Sequence, residues 1–316
     1  MRPRYAAVDI GATKIGVAVG DESGISEKLV EATDRTRGPL GIVSQIVRML
    51  RSLEHRGLRS IGVGSIGPLK ISEGSIVGTP NLPFKEIPIV EPLMEEFKVP
   101  VRLINDCSAG ALGEHVYGAG RGVDNLVYVT LSTGIGGGVI VDGHLLQGKD
   151  GNAHEVGHLT IDPYSELTCG CGCRGHWEAY CGGANIPNYA RLLLRGREGF
   201  VGLLSELAGI DLGGLTTEIV FRAARLGDPT AQWIVEKIGE INAVGFADIV
   251  NVYDPELITV GGSIALRNQE LILGPIERGI TKHLINRRPE IMITPLGEDA
   301  VLYGALALAW RYQASS

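Results

Sequence analysis

The sequence predicts a mixed α/β protein in which one strand–turn–strand unit occurs twice. Residues 5–10 form an apolar strand that leads through Gly-Ala-Thr-Lys into a second strand at 15–19. Residues 126–131 lead through Ser-Thr-Gly-Ile-Gly-Gly-Gly into a strand at 139–141. The second strands begin alike, as Gly-Val-Ala-Val and Gly-Val-Ile-Val. This repeat predicts a duplicated domain with a ligand in the cleft between the copies.

The first half continues as alternating strands and helices. Residues 28–33 complete an antiparallel meander with the first two strands. The elements that follow are helix 41–53, strand 60–66, helix 90–97, strand 101–104 and helix 108–117. Gly118, Gly120 and Gly122 then break the pattern. We therefore place a domain boundary near residues 114–124.

Helices dominate residues 182–245 in the second half. They include 216–225 and 228–244, the latter with Asp228 as N-cap and Pro229 in its first turn. A final strand at 257–260 opens into Gly261-Gly262-Ser263, and residues 300–312 form an apolar closing helix.

Length and composition limit the classes of function. A chain of 316 residues exceeds one comfortable core, so two domains are expected. No apolar run approaches the ~20 residues that span a bilayer, and no signal-peptide core precedes the first strand. We expect a cytoplasmic protein without a membrane partner. A net charge of −7 with no basic block argues against a nucleic-acid partner.

A cluster of cysteines and histidines predicts a structural zinc site. Cys169 and Cys171 lie between His158 and His176, and thiolates with imidazoles are the ligands that zinc prefers. Cys173 competes for the fourth position. The other two of the five cysteines, at 107 and 181, are expected to be buried small residues. Two carboxylates within the cluster, at 155 and 178, are not needed as ligands, so we expect another role for them.

Three further motifs, each at the end of a strand, are candidates for ligand binding or catalysis. In the turn at residues 9–14, small residues, Thr13 and Lys14 suit a phosphate, although an ordinary hairpin turn also explains this hexapeptide. The run at residues 132–138 predicts a tight bend at a ligand, but it is not a P-loop. Asp106, after a strand, is either a helix N-cap or a general base that faces a cleft.

Taken together, these motifs resemble those of the ROK group of bacterial and archaeal sugar kinases over nearly the whole chain. The matching segments are Asp9 to Lys14, Asn105-Asp106 to Gly113-Glu114, Thr133 to Gly138, Glu155 to His158, and the cysteine motif from Cys169 to Glu178. Within these segments, two residues depart from the family pattern. Ala12 replaces a usual glycine, and His176 replaces the last cysteine, which imidazole can substitute at zinc.

The resemblance implies a duplicated actin-like, ribonuclease-H-like ATPase fold with two lobes and a central cleft. The small lobe would comprise residues 1–117 and 300–316, with the first phosphate motif and the catalytic aspartate. The large lobe would comprise residues 118–299, with the second phosphate motif, the zinc site and the adenosine site. The implied reaction is ATP-dependent phosphorylation of a hexose, glucose first, at the 6-hydroxyl, which gives hexose 6-phosphate and ADP.

The resemblance also assigns site residues. Asp106 would be the general base. Sugar contacts would come from Asn81, Asn105, Asp106, Glu155, His158 and Glu178. Contacts to Mg-ATP would come from Asp9, Gly11, Thr13, Lys14, Thr133, Gly134, Gly261 and Gly262, with Asp9 holding Mg²⁺ through water. Structural Zn²⁺ would be held by His158, Cys169, Cys171 and His176, with the second ring nitrogen of His158 facing the sugar.

Alternatives remain within the family. Residues 64–68 depart from its usual Gly-x-Pro-Gly, so N-acetylmannosamine or fructose is a second choice of substrate. A non-catalytic sugar sensor is a third reading. Family repressors carry a helix-turn-helix before this core, but here the core starts at Tyr5, so DNA binding is not expected. The family also forms dimers and tetramers, and a homo-oligomer is an expectation on that ground.

Overall fold

The structure is a computed structural model that describes residues 3–54, 56–79, 82–197 and 202–311. Its strands, in chain order, are β1 (Arg4–Ile10), β2 (Lys14–Asp21), β3 (Gly24–Ala32), β4 (Leu58–Ser65), β5 (Leu69–Lys70), β6 (Ser75–Val77), β7 (Glu86–Pro88), β8 (Val101–Asn105), β9 (Leu126–Leu131), β10 (Ile135–Val141), β11 (His144–Leu145), β12 (Leu257–Gly261) and β13 (Glu290–Ile293). Its helices are α1 (Pro39–Ser52), α2 (Val90–Phe97), α3 (Asp106–Val116), α4 (Glu178–Cys181), α5 (Ile186–Leu194), α6 (Leu203–Ala208), α7 (Thr217–Arg225), α8 (Pro229–Tyr253), α9 (Ser263–Arg267), α10 (Gln269–Gly279) and α11 (Ala300–Arg311).

Two five-stranded sheets repeat one topology. Their orders are β3-β2-β1-β4-β8 and β11-β10-β9-β12-β13, so each sheet runs third, second, first, fourth, fifth in its own chain order. In the first sheet β1, β2 and β3 form an antiparallel meander, whereas β4 and β8 continue in parallel. In the second, β10 and β11 are antiparallel and β12 and β13 parallel. The predicted duplication and the predicted meander are confirmed. A small antiparallel sheet, β5-β6-β7, lies apart from both.

Strand β1 is buried on both faces, which explains its unbroken apolar sequence. Ala6, Val8 and Ile10 point into a core that includes apolar residues of α1, while Tyr5 and Ala7 pack with residues of α11. Small residues let α11 lie close to its neighbours. A Cβ on Gly62 of β4 would come within 1.9 Å of the Ala305 carbonyl oxygen, and one on Gly304 within 1.6 Å of the Ala109 oxygen.

The glycine-rich run after β9 is only partly a turn. The sequence predicts a tight bend over residues 132–138, and this prediction is wrong for the second half of the run, because β10 already begins at Ile135. Gly138 is needed in that strand for a different reason. A Cβ there would approach the carbonyl oxygen of Cys107, in α3, to 1.9 Å. The glycine therefore permits close packing of β10 on α3 rather than a bend.

The predicted start of the long helix α8 is confirmed. Asp228 has extended backbone angles and its side chain accepts a hydrogen bond from the Ala231 N–H at 2.8 Å. Pro229 occupies the first turn, where its missing N–H costs nothing. Among the described residues, no helix combines the length and apolar character needed to cross a membrane.

The chain divides into two compact units. Unit 1 comprises Met1–Tyr128, Gly137–His154 and Thr294–Ser316. Unit 2 comprises Val129–Gly136 and Glu155–Ile293. Each unit carries part of the predicted site.

Candidate active site

In unit 1 the predicted acidic residues meet at one edge of the first sheet. Strands β1, β4 and β8 are parallel, and their register places Ile10 beside Ser65 and Ser65 beside Asn105. Asp9 and Asp106, next to the ends of this row, therefore lie at the same carboxyl edge. This edge of a parallel sheet is where α/β proteins bind ligands.

Asn105, not Asp106, is the cap of helix α3. The Asn105 side-chain oxygen accepts hydrogen bonds from the Cys107 N–H at 2.9 Å and the Ser108 N–H at 3.3 Å. The N-cap alternative for Asp106 is therefore wrong. Asp106 is the first residue of the helix, and one of its carboxylate oxygens accepts from the Cys107 N–H at 2.8 Å. The cap leaves the Asp106 carboxylate at the sheet edge.

Burial raises the pKa of both acids, and the charge of Asp106 acts on Asp9. Burial, followed by the negative charge of Asp106, raises the pKa of Asp9 to about 7, against the opposing charge of Lys14. Burial also raises the pKa of Asp106, and hydrogen bonds from Cys107 and Asn105 partly counter this effect. Such a pair can take up a proton or bind a cation near neutral pH.

The turn between β1 and β2 is tight and its tip is exposed. The Gly11 N–H donates to the Lys14 carbonyl at 3.0 Å, and a Cβ on Gly11 would lie 2.8 Å from that oxygen. Thr13 and Lys14 face solvent, with Lys14 Nζ 2.7 Å from the Glu298 carboxylate. Arg35, which the sequence analysis missed, donates to the Ala12 carbonyl from Nε at 3.0 Å. The turn thus has two cations beside it.

In unit 2 the second turn lies beside the end of β12. The turn at 132–134 is closed by a bond from the Ser132 N–H to the Gly134 carbonyl at 3.0 Å, and Thr133 is exposed at its tip. Gly262 has φ +85°, and a Cβ on it would lie 2.4 Å from the Leu131 oxygen. The predicted phosphate residues 133 and 134 and adenosine residues 261 and 262 therefore share one edge of the second sheet.

Glu178 is anchored to the same turn. Its Oε2 accepts from the Ile135 N–H at 2.9 Å. A Cβ on Gly134 would come within 2.4 Å of that oxygen, so Gly134 makes room for the carboxylate. One carboxylate of unit 2 is thus fixed at the point where the second turn enters β10.

The Cys/His cluster forms a compact group of four ligand atoms. His158, Cys169, Cys171 and His176 place one atom each within 4.8 Å of the others. Cys173 is exposed and lies outside this group of four, so the geometry favours His176 over Cys173 for the fourth position. Cys107 and Cys181 are buried, as predicted.

The distances that involve nitrogen fit a tetrahedral zinc. Bonds of about 2.0–2.1 Å to nitrogen and 2.3 Å to sulfur would separate two nitrogens by about 3.3 Å and two sulfurs by about 3.8 Å. The two histidine Nδ1 atoms are 3.2 Å apart, and His176 Nδ1 lies 3.3 Å from Cys169 Sγ and 3.5 Å from Cys171 Sγ. The two sulfurs, at 3.0 Å, lie closer together than the about 3.8 Å of a tetrahedral site. The donor set and the distances that involve nitrogen fit the metal.

His158 presents its two nitrogens to different groups. Nδ1 faces the other three ligand atoms, whereas Nε2 lies 4.0 Å from a carboxylate oxygen of Glu155. A ring held from one side by a metal would therefore have its orientation toward Glu155 fixed.

Trp177 anchors the segment that carries His176 and Glu178, a role that the sequence analysis missed. Its fully buried indole donates from Nε1 to the Asn242 side chain, in α8, at 2.9 Å. A Cβ on Gly245 would lie 2.3 Å from the ring, and the Phe246 ring packs edge-on with centroids 5.5 Å apart. Trp177 thereby ties its neighbours His176 and Glu178 to helix α8.

The structure thus groups the predicted residues into two sets. Unit 1 holds Asp9, Gly11, Thr13, Lys14, Asn105 and Asp106. Unit 2 holds Thr133, Gly134, Glu155, His158, Cys169, Cys171, His176, Glu178, Gly261 and Gly262. Asn81 lies outside the described residues.

Comparison with known proteins adds sequence and fold relationships. The sequence model of the ROK family matches residues 5–311. The glucokinase of Pyrobaculum calidifontis is 41% identical over 308 residues, which are 98% of this chain and 95% of that protein. The glucokinase of Aeropyrum pernix is 37% identical over 314 residues, 96% of each. The crystal structure of a ROK family glucokinase from Streptomyces griseus, in complex with glucose and AMPPNP, is similar with a TM-score of 0.81 and 31% identity, covering 97% of this chain and 99% of that one.

Proposed function

Since the chain belongs to the ROK family, we propose that it is an ATP-dependent glucokinase, which transfers the γ-phosphoryl group of ATP to the 6-hydroxyl of glucose. Its fold is the duplicated actin-like ATPase fold of that family. Glucokinases 41% and 37% identical over almost the whole chain support this assignment.

The observation that carries the proposal is the position of Asp106. Its carboxylate lies at the carboxyl edge of a parallel sheet, at the start of α3, and burial raises its pKa. A general base must accept a proton during the reaction, and a raised pKa makes the carboxylate a stronger proton acceptor. In the proposed mechanism Asp106 accepts the proton of the sugar 6-hydroxyl as that oxygen attacks the γ-phosphorus.

Other predicted site residues of unit 1 would bind the phosphate groups and the magnesium ion of Mg-ATP. The amides of the turn at 11–14, the Thr13 hydroxyl and the Lys14 ammonium would hold phosphate oxygens, and Asp9 would bind the Mg²⁺ of the substrate Mg-ATP through water. A loose transition state for phosphoryl transfer needs positioning and charge neutralisation rather than covalent help from the protein. Lys14 would exchange its surface partner Glu298 for phosphate.

In unit 2, Glu155, His158 and Glu178 would bind sugar hydroxyls, and Asn105 and Asn81 are assigned to the same role. Thr133, Gly134, Gly261 and Gly262 would bind the nucleotide. A zinc ion on His158, Cys169, Cys171 and His176 would supply a structural cross-link. The chain's own residues then do the positioning: His158 orients one ring nitrogen toward Glu155, and Trp177 holds the segment that ends in Glu178.

A panel of sugars tests this function. ADP release with Mg-ATP is measured for glucose, mannose, fructose, N-acetylglucosamine and N-acetylmannosamine. We expect the highest kcat/KM with glucose. A higher value with N-acetylmannosamine or fructose would move the assignment to another kinase of the family. Absence of turnover with every sugar, in folded protein that binds glucose, would favour a sugar sensor.

Binding of Mg-ATP should weaken below neutral pH because Asp9 must be ionised to attract the cation. With a pKa of about 7 in the ligand-free protein, the ionised fraction falls about tenfold between pH 8 and pH 6, and the apparent affinity should fall by a similar factor. Titration calorimetry in two buffers of different ionisation heat should detect proton release near pH 7.

The Asp9→Asn variant is the control for protonation of the nucleotide itself. The affinity of this variant for Mg-ATP should be lower than that of the wild type. The part of its pH dependence that Asp9 causes should disappear. An identical pH profile in both proteins would contradict the assignment of Asp9.

Several expectations from the sequence stay predictions. They are the division into lobes at residues 117/118 and 299/300, the cytoplasmic location, the homo-oligomer, and the lack of nucleic-acid and membrane partners.

A further inference from the structure

A buried histidine outside the predicted site adopts a backbone conformation that favours glycine. His154 is the last residue of the middle segment of unit 1, has φ +53° and is 9% exposed. A non-glycine residue in this region is strained unless its surroundings hold it there. The hydrogen bonds of the ring show what holds it.

Both ring nitrogens of His154 have buried partners in unit 1. Nδ1 lies 2.5 Å from the Gly137 carbonyl oxygen, and Nε2 lies 3.2 Å from Ser108 Oγ and 2.8 Å from the Leu146 oxygen. Burial lowers the pKa of the ring, which favours the neutral form. A neutral ring has one N–H and one lone pair. Carbonyl oxygens only accept, so the ring nitrogen that carries the proton donates to Gly137 or to Leu146. The Ser108 hydroxyl can donate or accept, so it can bond Nε2 in either tautomer.

Ser108 connects this ring to the catalytic aspartate. It is the third residue of α3, two positions after Asp106, and it is 1% exposed. Its backbone N–H is also bound by Asn105, the cap of the helix. On a different side, Gly138 packs directly against the Cys107 carbonyl. The first helical turn is therefore held by His154, by the cap and by β10.

We infer that His154 is a positioning residue for the phosphoryl transfer: through its hydrogen bond to Ser108 it fixes the first turn of α3 and so the place of the Asp106 carboxylate. This inference rests on the proposed function. A general base must lie within hydrogen-bond reach of the proton that it accepts, and a displacement of about 1 Å can cost up to about 10²-fold in rate. His154 touches neither substrate in this scheme.

Two variants test the inference. His154→Gly removes the ring, and glycine suits the φ of +53°, so the backbone keeps its course. Ser108→Ala keeps the ring and removes only its partner hydroxyl. We expect each to lower kcat for glucose about tenfold, with KM for glucose and for Mg-ATP changed less than about threefold. Because both break one hydrogen bond, the double variant should fall little further than either alone.

A double-mutant cycle with Asp106→Asn separates positioning from a general structural role. If His154 acts through Asp106, His154→Gly should change the residual kcat of Asp106→Asn less than about twofold. The same tenfold loss in both backgrounds, an effect confined to KM, or an unchanged kcat would overturn the inference. Thermal unfolding of each variant is measured in parallel, so that kcat values are compared at a temperature well below the unfolding midpoint of every protein.

The wild-type assay tells the two proposals apart. Glucose turnover by the wild type with an unaffected His154→Gly variant rejects the positioning role alone. A folded wild type that phosphorylates no sugar rejects the proposed function, and the positioning role with it.

Discussion

Replacement of Asp106 by asparagine is expected to lower kcat for glucose by at least about 10²-fold, the usual loss when a general base is removed. Asparagine has the same shape, and its side-chain oxygen can still accept from the Cys107 N–H, so helix α3 should start as before. The amide cannot take the proton of the 6-hydroxyl. Glucose affinity, measured without ATP, should therefore change only severalfold.

The pH profile gives a second test of the same role. Burial raises the pKa of Asp106, so the wild type should lose kcat/KM as the pH falls and the carboxylate is protonated. Asp106→Asn has no such group, and the part of the acidic limb that Asp106 causes should vanish. A variant with near wild-type kcat and an unaltered profile would reject Asp106 as the base.

Glu114 offers a matched control on the same helix. It is fully buried, burial raises its pKa, and its carboxylate accepts hydrogen bonds from the Thr294 hydroxyl and the Ala119 N–H. Glu114→Gln is the same acid-to-amide change and keeps an acceptor for the Ala119 N–H. We expect its kcat to stay within about twofold of the wild type, because Glu114 has no role in the proposed proton transfer. Equal losses in both variants would indicate a general effect of disturbing α3.

The sequence predicts those parts of the fold whose signal is local. The meander, α2 at residues 90–97 and β9 at 126–131 follow from blocks of apolar residues bounded by turns. The point where the glycine-rich turn ends could not be predicted from the sequence. A glycine shows that no side chain is present, but not which neighbouring atom leaves no room for one. For Gly138 that atom is the Cys107 oxygen, 31 positions earlier in the chain.

The candidate site likewise contains residues that the sequence predicts and residues that it does not. The group of two cysteines and two histidines could be predicted because its members lie within 19 residues, from 158 to 176, and have distinctive chemistry. His154, Trp177 and Arg35 were missed. Their roles depend on Ser108, Asn242 and Ala12, which lie 46, 65 and 23 positions away, and no spacing rule connects such pairs. The cap of α3 was misplaced by one residue because Asn and Asp cap helices equally well.

Loss of the metal is expected to raise the KM for glucose by about 10- to 100-fold while kcat at saturating glucose falls much less. The reason is that the cluster lies in the sequence between Glu155 and Glu178, which the proposed function assigns to the sugar. His158 would bind zinc through Nδ1 and so hold Nε2 toward Glu155, and His176 is two residues before Glu178. Groups that orient binding residues typically contribute 10- to 100-fold. Asp106 lies in unit 1 and would keep its own contacts.

The measurement compares Cys169→Ser with Cys173→Ser. Cys169 belongs to the four-atom group, whereas Cys173 is an exposed thiol two residues beyond Cys171 and outside it. Protein purified without chelator or added zinc should contain about one zinc per chain in the wild type and in Cys173→Ser, and much less in Cys169→Ser. Thermal stability should fall only in Cys169→Ser, because a structural metal contributes directly to folding. Equal metal loss in the two variants would place Cys173 among the ligands. A wild type without metal would contradict the zinc site, and the segment from Cys169 to Glu178 would then be held by hydrogen bonds and by the buried Trp177.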